Sequence, residues 1–278
     1  FSLKMKIDRS SSLPLDKFIE FALYDKDIGY YMKKNPFGVE GDFITAPNIT
    51  RLFSEIIAIW VITFWKSIGS PKKFNLLELG AGNGEMIKVI ISTLKNFPEC
   101  FNNCKVQIHE KSTFLKKQQQ KNLKLESVIW LDELKKINSC PTIFLANEFF
   151  DALPIKQFFK KKDGWVERFV DLKEIDKAKF EEKFINIKKI EKKLNFEISK
   201  DQEIIEYSPS SFEYLKDICG IIKKNNGGIL IIDYGYLNSK MHETLQAINK
   251  HKYSNVLEDI GQSDITYNIN FNIFEKYT

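Results

Sequence analysis

Phe74-Asn75-Leu76-Leu77-Glu78-Leu79-Gly80-Ala81-Gly82-Asn83-Gly84 is the stretch on which the fold of this chain turns. Residues 74–79 are a short apolar run, read as a strand, and the three alternating glycines behind them suit a loop that must bend sharply. With no Cβ in the way, such a backbone can also pass close against a ligand. A helical pattern then runs from Glu85 to about Asn96 and stops before Pro98. Strand, glycine turn and helix together open a βαβ unit.

Working outward toward the C-terminus, residues 105–109 read as a second strand, 115–123 as a helix, 128–130 as a third strand and 142–146 as a fourth. Strands alternating with helices imply an α/β fold, Rossmann-like, with a mostly parallel sheet flanked by helices. After Pro154 the rhythm changes: residues 155–160, the turn Lys162-Asp163-Gly164 and residues 165–172 read as a β-hairpin, and a lysine-rich stretch follows to Lys200. Residues 155–203 are therefore expected as an insertion. A helix at 210–224, the turn Asn226-Gly227-Gly228 and a strand at 229–233 resume the βα pattern. Toward the N-terminus, helices are predicted over 15–24 and 47–68, separated by a Gly- and Pro-punctuated loop over 25–41. The expected division is an N-terminal helical segment with an active-site loop (1–72), a ligand-binding Rossmann-like domain (73–154 and 204–278) and the insertion.

Composition narrows the function classes. A chain of 278 residues with 43% hydrophobic content builds a full-sized core, so disordered and fibrous readings fall away. Lys and Arg total 42 against 37 Asp and Glu, the lysines are scattered, and Arg9, Arg51 and Arg168 are the only arginines, which argues against a nucleic-acid partner. Cys100, Cys104, Cys140 and Cys219 form neither a CxxC pair nor a zinc spacing with histidine, so they read as reduced thiols with no metal site. The apolar run 56–65 is too short to cross a bilayer and belongs to a core helix. The chain starts at Phe1 without Met, which leaves a removed leader open.

The candidate site residues cluster at predicted strand ends. Glu110, 26 positions beyond Gly84 at the end of the second strand, can accept both ribose hydroxyls of an adenosyl ligand. A dinucleotide fingerprint would require glycine where Glu85 stands, and an acid in the first helical turn repels phosphates. A phosphate-free, cationic adenosyl ligand, S-adenosylmethionine, suits Gly80, Gly82 and Gly84 together with Glu78, Glu110 and Asp132; for Asp132 a surface helix-capping role is the competing reading. The fourth strand ends in Asn147-Glu148-Phe149-Phe150-Asp151-Ala152-Leu153-Pro154, where an open parallel sheet places its ligand crevice. The competing reading there is that Glu148 and Asp151 cap the following turn while Phe149 and Phe150 pack in the core. Tyr30, Tyr31, Asp42, Phe43 and Thr45, on the loop before the second helix, are placed to cover the same crevice.

Taken together, Gly29-Tyr30-Tyr31, Pro36-Phe37-Gly38, Gly41-Asp42-Phe43-Ile44-Thr45, the Glu78 to Gly84 loop, Asn147 to Pro154, Trp165-Val166-Glu167-Arg168 and Ile232-Asp233-Tyr234-Gly235-Tyr236 resemble the MidA-like family, from about Asp16 to Asn270. These are class I methyltransferases that include a mitochondrial arginine methyltransferase acting in respiratory complex I assembly. The resemblance implies symmetric dimethylation of an arginine in the large quinone-site subunit of complex I, with S-adenosylmethionine as donor. A non-catalytic assembly protein and a small-molecule methyltransferase are the alternatives. Methylating a guanidinium sets a cationic acceptor against a cationic donor, and the acceptor hardly deprotonates at neutral pH because its pKa exceeds about 12. Glu148, assisted by Asp151 or Asp42, is expected to grip the guanidinium, with Asn147 beside the donor. Phe149, Phe150 or Tyr30 is expected to flank the planar acceptor, with Phe43 and Thr45 lining the approach. Ala81 and Asn83 stand where the family tends to have Pro and Arg, and Asn48 where it tends to have Glu. The last two strands of the family's sheet are expected to lie beyond Thr278. The resemblance places a bacterial member in the cytoplasm and a eukaryotic one in the mitochondrial matrix, and it leaves a homo-oligomer open.

Overall fold

The computed structural model describes residues 12–33, 47, 50–124, 126–174, 177–249 and 251–278. In chain order its elements are β1 (Ser12–Pro14), α1 (Leu15–Tyr24), α2 (Tyr30–Lys33), α3 (Arg51–Ser67), β2 (Phe74–Leu79), α4 (Glu85–Leu94), α5 (Pro98–Phe101) and β3 (Cys104–His109). There follow α6 (Thr113–Asn122), β4 (Val128–Leu131), β5 (Thr142–Asn147), β6 (Lys156–Lys161), β7 (Gly164–Asp171), β8 (Lys179–Ile185), α7 (Ile187–Leu194) and β9 (Ile204–Tyr207). The last are α8 (Pro209–Asn225), β10 (Gly227–Ile232), β11 (Gly235–Tyr236), β12 (Gln246–Asn249), β13 (Lys252–Ser254), β14 (Asp264–Thr266), β15 (Ile269–Asn270) and α9 (Phe271–Tyr277). They fall into two compact units, residues 34–149 with 216–233, and residues 1–33 with 150–215 and 234–278.

The first of these units holds the parallel sheet, in the order β10-β5-β2-β3-β4. β2 is buried along its whole length and pairs in parallel with β3 on one side and β5 on the other, as a central strand of an α/β sheet must. Inside it, Asn75 is fully buried and donates from Nδ2 to Thr142 Oγ1 at 3.1 Å, a side-chain link between β2 and β5. Met86, Ile87, Ile90, Ile91 and Leu94 of α4 join Ile57, Ala58, Val61, Ile62 and Trp65 of α3 and the inward side chains of β2, β3 and β5 in one hydrophobic core. Each such side chain contributes about 1.5–3 kcal/mol on burial. Thr50 caps α3, its side chain accepting from the Leu52 N–H at 3.2 Å. α3 therefore begins four residues later than the apolar pattern predicts, and Pro47 lies before it.

The second unit is largely antiparallel. β6 and β7 form the predicted hairpin around Asp163-Gly164, but the segment 155–203 does not stand alone. β1 pairs with β7, β9 pairs with β6, and residues 234–278, expected in the ligand-binding domain, supply small strands and α9 to this unit. Part of the lysine-rich stretch is ordered: β8 lies along β7, and α7 buries Ile187 and Leu194 in a core with Phe158, Tyr207 and Phe212. The loop predicted over 25–41 contains α2, held by the Met32 N–H donating to the Gly29 carbonyl. The four cysteines are free thiols. Among the described residues no helix is long and apolar enough to cross a membrane, and no group of three or more His, Cys, Asp or Glu is arranged to hold a metal ion.

Candidate active site

Sheet order reverses between β2 and β5, since from β2 the chain winds outward through β3 and β4 and then returns to add β5 and β10 on the opposite side. A crevice opens beyond the strand ends at such a reversal, where loops on either side diverge. The glycine loop leaves β2 at this point. Gly80, Gly82 and Gly84 have φ of 63°, 53° and 84°, the left-handed region that side chains with a Cβ resist. Gly80 carries a second constraint, because a Cβ there would stand 2.7 Å from Cδ2 of Phe149. The Gly80 N–H donates to the His109 carbonyl at 2.9 Å, and the Gly84 N–H donates back to the Ala81 carbonyl at 2.7 Å, fixing the turn.

Two carboxyls lie beside this loop. Glu78, the penultimate residue of β2, is buried, and its Oε2 has no hydrogen-bond partner. Burial, reinforced by the nearby Glu110, pushes its pKa up to about 8. Burial also raises Glu110, to about 7, against the pull of hydrogen bonds from the Ser112 N–H at 2.8 Å and from Gln119 Nε2 at 2.9 Å. An unpartnered buried carboxylate oxygen costs about 1–3 kcal/mol unless something arrives to satisfy it. A cation or a strong hydrogen-bond donor does that, and an anion does not.

From the β5 side, Asn147 ends the strand with its Oδ1 buried and unpartnered. Glu148 then adopts φ of 48°, a left-handed conformation rare for a residue with a long side chain, and its N–H donates to the Ile232 carbonyl at 2.8 Å. Burial raises the Glu148 pKa while a hydrogen bond from Asn147 lowers it. The Phe149 N–H donates to Asp233 Oδ2 at 3.2 Å, so the residue just after β10 anchors the turn that lays the Phe149 ring against Gly80. Glu78, Gly80, Gly82, Gly84, Glu110, Asn147, Glu148 and Phe149 all belong to the unit of the parallel sheet.

The remaining sequence candidates are placed differently. Asp132 is a surface acid, its side chain 70% exposed and paired with Lys116 at 3.0 Å. Tyr30 and Phe150 are fully buried in the antiparallel unit, where Tyr30 meets Tyr31 edge-on at 5.1 Å and Phe150 meets Phe274 edge-on at 5.2 Å. Packing claims both rings, so the expectation that they flank an acceptor gives way to a core role. Asp151 is 6% exposed in the same unit, and its carbonyl accepts from the Tyr267 N–H at 3.2 Å. Tyr31 donates to Asp264 Oδ1 at 2.7 Å, and burial holds its phenol well above the usual tyrosine range. Asp42, Phe43 and Thr45 lie outside the described residues. The sequence reading passed over Gln119, which is fully buried and bonded to the glycine loop and to Glu110. It hides in Gln118-Gln119-Gln120, on a helix whose other residues are polar apart from Phe114 and Leu115.

Comparison with known proteins follows the same lines. Residues 56–278 match the family described as "Putative S-adenosyl-L-methionine-dependent methyltransferase". The chain is 29% identical over 300 residues to the mitochondrial protein arginine methyltransferase NDUFAF7 of Xenopus laevis, covering 99% of this chain and 68% of that protein. Against the human protein of the same name it is 26% identical, covering 99% and 67%. A COG1565 superfamily structure from Burkholderia thailandensis, bound to S-adenosyl-homocysteine, superposes with a TM-score of 0.81 at 22% identity, over 99% of this chain and 74% of that one. That likeness places the α/β fold, and the family match places the chemistry: this chain belongs to the MidA-like family of methyltransferases, whose methyl donor is S-adenosyl-L-methionine.

Proposed function

We propose that the chain is a protein arginine N-methyltransferase, and that its acceptor is an arginine of the large quinone-site subunit of respiratory complex I, dimethylated symmetrically in support of assembly. The observation that carries the reading is the pair Glu78 and Glu110, buried beside three left-handed glycines, one oxygen of Glu78 lacking a partner. Such a place favours a ligand that is cationic and rich in hydrogen-bond donors. The names of the relatives, protein arginine methyltransferases, support the acceptor class.

When bound, S-adenosylmethionine supplies an electrophilic methyl group on a positively charged sulfur. Gly80, Gly82 and Gly84 would hold it by offering backbone without side chains, Glu110 by accepting from ribose hydroxyls, and Glu78 and Asn147 by satisfying its polar and charged groups. Glu148 has the complementary task. At the end of β5, on a strained backbone, its carboxylate would accept two guanidinium N–H bonds and hold the acceptor nitrogen in line. Asp42 would assist. The Phe149 ring, pinned by Asp233 and Gly80, would exclude water beside it.

Calorimetric titration of the purified chain with S-adenosylmethionine and S-adenosylhomocysteine tests the first half, with Gly82→Val as control. Saturable binding that the variant loses is the expected result. Mass spectrometry of complex I subunits incubated with chain and donor tests the second half, with dimethylarginine on the large quinone-site subunit as the expected product. Donor binding with no methylated protein would make the chain a binding protein or a small-molecule enzyme.

A further inference from the structure

The side chain of Gln119 makes three hydrogen bonds, each to a different element. Its Nε2 donates to the Gly82 carbonyl at 2.9 Å and to Glu110 Oε2 at 2.9 Å, and its Oε1 accepts from Trp130 Nε1 at 2.9 Å. The orientation of the amide is not arbitrary. An indole N–H only donates and a peptide carbonyl only accepts, so Trp130 must face the oxygen and Gly82 the nitrogen. A flipped amide would bring two donors together at Trp130 and two acceptors together at Gly82. Gln119 is fully buried, so its own amide depends on these partners, and each lost bond leaves part of that buried amide unsatisfied. Nearby, Asn122 Nδ2 donates to the Asn83 carbonyl at 2.9 Å, so a second rung of α6 grips the same loop.

We propose that Gln119, oriented by Trp130, is a positioning residue for the donor site: it locks the glycine loop to Glu110 and fixes which lone pairs of Glu110 remain for the ligand. The inference rests on the donor reading above. Ser112 occupies Oε1 of Glu110, Gln119 occupies Oε2, and the Lys111 backbone N–H bonds the same carboxylate, so its plane cannot turn and few lone pairs are left for the ligand. Trp130 touches neither the loop nor Glu110 through these bonds; it acts through the amide. Among the described residues, the other ionisable groups around Glu110 are Glu78 on β2, His109 before it on β3, Lys111 after it, and the pair Lys116 and Asp132 near His109.

The test is calorimetric titration of the full chain with S-adenosylhomocysteine between pH 6 and 9, for the unaltered chain and for Gln119→Leu, Gln119→Glu and Trp130→Phe. Gln119→Leu is expected to weaken binding about tenfold to a hundredfold and to move its pH midpoint upward, because Glu110 loses a donor that favours its ionised form. Gln119→Glu is expected to bind progressively worse as pH rises, since a second carboxylate then faces Glu110 and the Gly82 carbonyl. Trp130→Phe, which keeps an aromatic ring but removes the indole N–H and part of the ring volume, is expected to weaken binding about threefold to tenfold. Should Gln119→Leu fail to fold, Trp130→Phe and Gln119→Glu decide. Unchanged affinity and an unchanged pH profile in the folded variants would overturn the inference while leaving the donor site standing. Absence of binding by the unaltered chain would remove the donor reading, and this inference with it.

Discussion

Glu78 and Glu110 retain protons in the folded, ligand-free chain at pH values where free glutamates, ordinarily near 4.5, have lost them. The stability that these two groups contribute is therefore complete below about pH 4.5 and is lost as pH rises through about 7 and 8. Glu78→Gln removes the larger part. The variant's melting temperature should match that of the unaltered chain near pH 4.5 and exceed it at pH 8.5, by about 2–4 °C for each kcal/mol relieved. A melting series across that range checks this, and an equal difference at both ends would mean that Glu78 does not titrate as placed. Glu148→Gln tests a different property. It should keep donor affinity within about threefold and reduce turnover by roughly a hundredfold or more, because the amide cannot offer two charged acceptor oxygens to a guanidinium. Loss of both together would move Glu148 into the donor pocket or into folding. Gly82→Val, at φ of 53°, should strain the loop as well as occupy ligand space, and its binding should fall below detection by titration.

At the level of elements, the junction of β2 and β5 depends on a polar link inside the sheet. Thr142→Val leaves the Asn75 amide buried with no acceptor, and should cost about 1–3 kcal/mol in denaturant unfolding without changing the slope. β2, the glycine loop and α4 were legible from sequence because everything that specifies them is local: an apolar run, three glycines, then a helical pattern bounded by Pro98. The hairpin of β6 and β7 was legible for the same reason, through Asp163-Gly164. What remained hidden depends on partners distant in sequence. Gln119 reaches Gly82, 37 positions away, and no periodicity marks it out from its two neighbouring glutamines. Tyr30 and Phe150 looked like aromatic residues at a crevice, and only the placement of Tyr31 and Phe274 shows that their rings are spoken for by packing. Asp132 follows a strand as a site acid would, yet Lys116 on α6 draws it to the surface.

For the molecule as a whole, the division into two units escaped the sequence because it is made by long-range antiparallel pairing. Ser12 lies opposite Asp171, and Tyr31 bonds to Asp264, so stretches far apart in the chain build one unit between them. The parallel unit, by contrast, carries the residues proposed to hold the donor, and mass action should stabilise it directly. S-adenosylhomocysteine at a hundred times its Kd should add about 2.7 kcal/mol, and hydrogen exchange should slow in β2, the glycine loop and the start of α6. Exchange that slowed only in β6 to β9 would place the ligand elsewhere. The buried acid pair also bears on the bookkeeping of protons during association. Near neutral pH, a cation admitted beside Glu78 and Glu110 lowers their raised pKa values and should release part of their protons, so the heat observed on mixing includes the heat of the buffer that takes them up. Titrations at one pH in two buffers of different ionisation enthalpy should then give two apparent enthalpies for S-adenosylmethionine. The gap should narrow for S-adenosylhomocysteine, whose sulfur is neutral.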